Sequence, residues 1–107
     1  MRRKEADFAS AAVSSAAEHL GDLVRQARLA RSWTQRDLAE RARISLATLK
    51  RLESGAVEVS LGGWLTVFES LGLLSLFGTL QDPASAALLD TTKTKRVRPR
   101  RRGDLDF

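Results

Sequence analysis

Apolar residues recur at helical spacing in successive stretches of this chain, separated by short polar or glycine breaks. In the first clear stretch, positions i, i+3, i+4 and i+7 are apolar, which is the pattern of a half-buried helix. The residues on its inner face are Leu20, Leu23, Val24, Ala27 and Ala30. The pattern predicts a helix from Ala16, preceded by an Ala/Ser-rich stretch with a weaker helical pattern and interrupted at Ser32-Trp33.

Two short helices are predicted next, each introduced by a capping residue. Thr34 has N-cap chemistry and Asp37 stands three residues on, an arrangement related to the capping box. Leu38 and Ala42 form the inner face of this helix. A second cap, Ser45, begins the next one.

This next helix has little apolar surface. Leu49 and Leu52 share one face, and Gly55, a residue that tolerates a left-handed backbone, ends it. The remaining side chains are small or basic and point outward: Ala47, Thr48, Lys50 and Arg51.

A fourth helix is predicted from the cap Ser60 to Gly72. Its apolar face consists of Leu61, Trp64, Leu65, Phe68 and Leu71. We expect both Trp64 and Trp33 to lie in the core.

Residues 73–80 fit either of two structures. A helix would bury Leu73, Leu74, Phe77 and Leu80, whereas a strand would alternate Leu74 and Leu76 with Ser75 and Phe77. We favour the helix. Asp82-Pro83 then has the chemistry of the N-cap and first residue of a last helix, which would run through Leu89.

These elements define an all-α chain of about five short helices. Its 107 residues, 43% of them hydrophobic, suffice for one small domain. We expect an N-terminal extension over residues 1–15, the helical domain over 16–90, and a flexible basic tail over 91–107, which is too polar and charged to fold alone.

Charge is distributed unevenly along the chain. Residues 93–107 carry a net charge of +5, while residues 1–92 balance 11 basic against 11 acidic side chains. Residues 52–92 contain no Lys or Arg. A basic front and a basic tail indicate a polyanionic partner, although a solvated surface with a solubilising tail is the alternative.

Several function classes are disfavoured by composition. The chain has no Cys and a single His, His19, so neither a metal site nor a catalytic triad is expected. No nucleophile is paired with a base, and we expect neither an enzyme nor a cofactor. No apolar run approaches the length of a membrane span, and the first ten residues lack the apolar segment of a signal peptide, so we expect a cytoplasmic protein.

The two short predicted helices, 34–41 and 45–53, are joined by a three-residue turn and flanked by longer helices. This is helix-turn-helix architecture. In such a unit the second helix enters the major groove of DNA, with its N-terminal residues at the base edges. A short helix that is buried on one side only suits this role.

The stretch LGDLVRQARLARSWTQRDLAERARISLATLKRLESG resembles the XRE family of Cro-like and lambda-repressor-like regulators, over roughly residues 16–72. The resemblance implies a lambda-repressor-like bundle that binds operator DNA. The stretch SLGGWLTVFESLGLL and the Arg-rich end followed by DLDF are similar to HipB-like antitoxins. Those proteins repress their own operon, which also encodes a HipA-like kinase toxin.

The resemblance also implies roles for individual residues. Thr34 and Gln35 start the supporting helix and contact phosphate. An Arg of the first helix, here Arg28, pairs with the Glu that ends the recognition helix, here Glu53. The DNA-binding residues implied are Thr34, Gln35, Arg36, Arg43, Ser45, Leu46, Ala47, Thr48, Lys50 and Arg51.

Two departures from the family pattern affect the expected readout. Gln is common at the first reading positions, but this chain has Leu46 and Ala47, which cannot hydrogen-bond a base and could contact a thymine methyl. Arg51 is then the best residue for bidentate guanine readout, and Lys50 for phosphate or guanine. Arg43 stands where the family often places a left-handed Gly, at a strain of about 1 kcal/mol.

A single short helix reads few bases, so we expect a homodimer on two half-sites, with 73–80 as the candidate interface. The partners expected are operator DNA, a second copy and a HipA-like kinase, with no membrane. The alternatives are a stand-alone phage or host regulator and a protein-interaction module that keeps the fold without reading DNA. Within the tail, we expect the basic run to meet a polyanion and the last four residues to dock on a protein.

Overall fold

The structure, a computed structural model, describes residues 8–95, with side chains through Thr91. These residues form five α-helices and one 3-10 helix, and no strand. The helices are α1 (Ala11–Ala30), α2 (Gln35–Ala42), α3 (Leu46–Glu53), α4 (Leu61–Ser70), the 3-10 helix (Leu74–Thr79) and α5 (Pro83–Lys95). The all-α prediction is confirmed, whereas most of the predicted tail, including DLDF, lies outside the described residues.

Serine and threonine caps set the starts of the first four helices. The predicted caps Thr34, Ser45 and Ser60 each accept a hydrogen bond from the backbone N–H three residues on. Ser10 does the same for α1 by accepting from Val13 N–H at 3.1 Å. The first helix therefore begins at Ala11, five residues before the expected start.

The chain divides into two units, Met1–Leu74 and Ser75–Phe107. In the first unit, α2 packs on α3 and α4, and α1 packs on α3. The core residues are Val24, Leu38, Ala39, Ala42, Leu49, Leu52, Val59, Val67, Phe68 and Leu71.

The apolar face of α4 is rotated from the predicted one. Leu61 is 69% exposed, whereas Val67, which was not predicted, is fully buried. Trp33 and Trp64 are only half-buried, so the prediction that both lie in the core is wrong. Leu61 is the first residue of α4, where a side chain leans past the end of the packed turns and stays largely exposed.

Two glycines allow α1 to approach the end of α3 closely. A Cβ on Gly21 would lie 2.6 Å from the carbonyl oxygen of Leu52 and 2.7 Å from that of Glu53. A Cβ on Gly55 would lie 2.5 Å from the Cα of Glu18. Gly55 also has φ +80, the left-handed conformation predicted for the end of α3.

The second unit agrees with the prediction in part. Residues 74–79 form a helix, as favoured over a strand, but in the tighter 3-10 form, and Leu80, which was expected to be buried, is 72% exposed. The predicted cap of α5 is present, because Asp82 accepts from the backbone N–H of Ser85 at 3.2 Å, but the helix runs to Lys95. None of the residues described between 75 and 91 is buried.

Candidate nucleic-acid interface

A left-handed residue makes the turn between α2 and α3. Arg43 has φ 56 and ψ 41, and the N–H of Ile44 donates to the carbonyl of Ala39 at 3.0 Å. Any residue with a Cβ is strained in this left-handed conformation by about 1 kcal/mol. The turn thus has the backbone that the family pattern implies, with a positive charge in place of glycine. Ser32, in the connection from α1 to α2, is also left-handed, at φ 58, and nothing in the sequence indicated it.

One carboxylate at the end of α3 links three helices. Glu53 Oε2 lies 2.7 Å from Arg28 Nε and Glu53 Oε1 lies 3.1 Å from Arg28 Nη2, so the predicted ion pair is present and bidentate. Both side chains are at least nine-tenths buried. The remaining nitrogen, Arg28 Nη1, donates to the carbonyl of Trp33 at 2.9 Å. The pair therefore fixes α1, the α1–α2 connection and the end of α3 together.

Gln35, the first residue of α2, joins the same group. Its Nε2 donates to Glu53 Oε1 at 3.0 Å, and the side chain is half-buried. Because one amide N–H is used in this way, only the second N–H of the amide is left to donate to a phosphate. Gln35 is therefore held in place by the protein and is not a solvated first-turn residue.

The capping box at the start of α2 is complete. The N–H of Asp37 donates to Thr34 Oγ1 at 3.0 Å, and the N–H of Thr34 donates to Asp37 Oδ2 at 2.8 Å. The hydrogen bond from the Thr34 backbone, then that with its hydroxyl, lowers the pKa of Asp37 below its ordinary value of 3.8, with the charge of Arg41 adding to the effect. The cap is thus strongest with the carboxylate ionised.

The start of α3 combines hydroxyl and apolar side chains. Ser45 Oγ accepts from the N–H of Thr48 at 3.0 Å and donates to Thr48 Oγ1 at 2.8 Å. Leu46 is half-buried and Ala47 is exposed. The two hydroxyls are therefore paired with one another, beside two apolar side chains.

The ten predicted DNA-binding residues lie on α2 or at its N-cap, in the turn, or on α3. Seven are exposed: Thr34, Arg36, Arg43, Ser45, Ala47, Lys50 and Arg51. Three are half-buried: Gln35, Leu46 and Thr48.

The basic residues of this region fall into two groups. Among the described residues, no hydrogen bond or ion pair is made by the side chains of Arg36, Arg43, Lys50 and Arg51. The arginines of the other group hold the fold together and are Arg28, Arg31 and Arg41. The helix-turn-helix thus presents four cations that the described protein does not use.

Two contacts of the structural group were missed in the sequence. Arg41 stacks on Trp33 with its guanidinium carbon 4.0 Å from the ring centroid. Arg31 donates to the carbonyl of Ala27 at 2.7 Å and to that of Leu71, past the end of α4, at 2.8 Å. The contact of Arg31 with Leu71 joins the ends of α1 and α4, and the stack of Arg41 on Trp33 joins α2 to the connection before it. Neither contact follows from the hydrophobic repeat of one helix, so only the tertiary structure reveals it.

The model of the helix-turn-helix domain family matches residues 19–88. No curated protein and no solved structure matches the chain. The matched range contains α2, the left-handed turn, α3 and the four free cations. This family is typical of DNA-binding regulators without enzymatic activity. Over about two thirds of its length, then, this chain matches the helix-turn-helix domain family, and it belongs to that family.

Proposed function

We propose that the chain is a sequence-specific transcriptional repressor of the XRE type, which places α3 in the major groove of operator DNA. The observation that carries this proposal is the division of the basic residues. Arg36, Arg43, Lys50 and Arg51 are exposed and unpaired among the described residues, whereas the neighbouring arginines hold the fold together. Free cations around a helix pair of this geometry suit a phosphate backbone.

The contacts divide by position. The residues at the start of α2 and in the turn, Thr34, Gln35, Arg36 and Arg43, would contact phosphate and fix the orientation of the domain. Those of α3 would face base edges: Ser45, Leu46, Ala47, Thr48, Lys50 and Arg51. Arg51 is the residue that best suits guanine, because its guanidinium is exposed and has no partner among the described residues.

A homodimer is part of this proposal. An eight-residue α3 covers few base pairs, and helix-turn-helix proteins extend their site with a two-fold related copy. The segment that follows α4 exposes four leucines, namely Leu76, Leu80, Leu88 and Leu89. A second copy would bury them. We also propose that the chain consists of an N-terminal extension over residues 1–15, the helix-turn-helix domain over 16–90 and a basic tail over 91–107.

The narrower role is that of an antitoxin. The resemblance of α4 and of the Arg-rich end to HipB-like proteins supports an operon that also encodes a HipA-like kinase, with the two proteins acting in the cytoplasm. A stand-alone regulator is the alternative within the same class. A protein-interaction module without DNA readout is a second candidate, favoured by the scarcity of free polar groups at the start of α3.

A gel shift on the protein's own promoter region tests the DNA-binding role. We expect Lys50→Ala/Arg51→Ala to abolish the specific shift. The control is Arg25→Ala, which removes an arginine of α1 that is exposed and makes no side-chain bond within residues 8–95, and which should leave most of the affinity. Equal losses of affinity in both variants would mean that only the total positive charge matters. The absence of any shift with the wild-type protein would favour the interaction module.

Single variants separate base readout from phosphate contact. Arg51→Ala should relax the preference at one base pair at a cost of about 1–3 kcal/mol, whereas Gln35→Ala should weaken binding evenly across sequences. Copurification with the product of a neighbouring gene then separates the antitoxin from the stand-alone regulator.

A further inference from the structure

We propose that this domain recognises thymine by its methyl group, through Leu46 and Ala47, at the base pairs that face the start of α3. The inference rests on the proposed function, since it requires α3 to lie in the major groove. It specifies the kind of operator that this chain selects.

The argument begins with the polar groups at the helix start. Ser45 uses its hydroxyl hydrogen on Thr48 Oγ1, at 2.8 Å, and its oxygen accepts the N–H of Thr48 at 3.0 Å. The hydroxyl hydrogen of Thr48 is then the one side-chain donor left over residues 45–48. The start of α3 therefore has little capacity for the bidentate hydrogen bonds by which Asn or Gln identifies adenine.

The surface that remains is apolar. Ala47 is exposed and Leu46 is half-buried, and both follow directly after the cap, where the recognition helix meets base edges. The major groove displays one apolar group, the C5-methyl of thymine. Contact with cytosine N4 or guanine O6 at the same place would remove water from a polar atom without replacing its hydrogen bond.

The position of Arg51 on α3 sets the distance between the two base pairs that the helix would contact. Arg51 lies four residues beyond Ala47, on the same face of the helix and about 6 Å along its axis. Because successive bases along a strand are about 3.4 Å apart, this distance covers about two base-pair steps. The half-site should therefore hold a thymine within about two base pairs of a guanine.

Uracil, which is thymine without the methyl group, provides the test. A random duplex library is first selected on the full-length protein, and the enriched duplex is then synthesised with each thymine replaced in turn by uracil. Binding is followed by fluorescence anisotropy. We expect about a fourfold loss of affinity at one or two thymines, the value for one buried methyl, and little change elsewhere. A duplex with cytosine at that position should bind weakly, and replacing this cytosine by 5-methylcytosine, which carries the methyl group, should partly restore binding.

The ratio of the affinity for the thymine duplex to the affinity for the uracil duplex assigns the effect to a side chain. Leu46→Ala should bring this ratio towards one at one position, whereas the matched control Leu29→Ala, a half-exposed leucine of α1, should keep the wild-type ratio. Ala47→Ser serves the same purpose if Leu46→Ala does not fold. Selective binding with a ratio of one at every thymine would overturn this inference and leave the proposed function standing. Failure to enrich any duplex would overturn both.

Discussion

At the scale of single residues, the ion pair between Arg28 and Glu53 should dominate stability. Arg28→Ala would leave the Glu53 carboxylate, whose side chain is 4% exposed, with one hydrogen-bond donor, Gln35. Breaking a buried pair from one side costs about 3–5 kcal/mol. Urea unfolding should show a loss of this size, while the exposed Arg25→Ala changes stability little. An Arg28→Ala protein with the wild-type midpoint would contradict the prediction.

Two glycine substitutions should act in opposite directions. Gly21→Ala places a Cβ 2.6 Å from the carbonyl oxygen of Leu52, so α1 and α3 must move apart, and we expect a loss of about 1–3 kcal/mol. The Cβ of Gly62→Ala, within α4, meets no atom of the described part of the chain within 4 Å and should add about 0.5–1 kcal/mol. Thermal melts of the two variants measure both effects, and a stabilised Gly21→Ala protein would show that the helices can separate freely.

Residue identities predicted the parts of the site that are local in sequence. Thr34 and Ser45 mark the starts of their helices because caps act over three residues. The stacking of Arg41 on Trp33 and the close approach at Gly21 were not predicted. The approach at Gly21 depends on where α3 lies, and the stack depends on the conformation of the connection before α2. The hydrophobic repeat within one helix carries no information about either.

At the scale of elements, the capping box of α2 makes its stability depend on pH. The pKa of Asp37 is lowered in the folded protein, so its contribution is present above the unfolded value and is lost as pH falls through the folded pKa. We expect the wild type to lose stability on acidification from the ordinary value of 3.8 downwards. Asp37→Asn keeps an acceptor for the Thr34 N–H but does not titrate, so its melting temperature should depend less on pH in this range. Identical pH profiles would exclude Asp37 as a source.

The elements themselves were predicted better in the first unit than in the second. The four helices of the first unit bury a shared apolar face, so their periodic pattern is clear. The second unit buries none of the residues described between 75 and 91, and its apolar residues follow no single face. The pattern over 73–80 is ambiguous for that reason, and the helix favoured there forms as a 3-10 helix, whose period the pattern did not indicate.

At the scale of the whole molecule, the charge of the C-terminal end should appear in the salt dependence of DNA binding. Residues 93–102 carry seven basic side chains. If they contact phosphate, truncation after Thr92 reduces the number of released counterions and flattens the plot of log affinity against log salt. Deleting residues 104–107 alone should leave the slope unchanged and weaken only a protein partner's binding. An unchanged slope after the longer truncation would make the basic run a solubilising segment.

The three-helix linkage at Glu53 also has a kinetic consequence. An isolated helix of eight residues is unstable in water, so α3 persists only while its contacts hold. Because its last residue is tied to α1 through Arg28 and to α2 through Gln35, we expect α3 to open only together with these helices. The amide hydrogens from Leu49 onward, which donate within the helix, should exchange with solvent deuterium only when the domain unfolds. The amides of α5, where no described side chain is buried, should exchange by local fraying, and mass spectrometry of deuterated fragments would separate the two regimes.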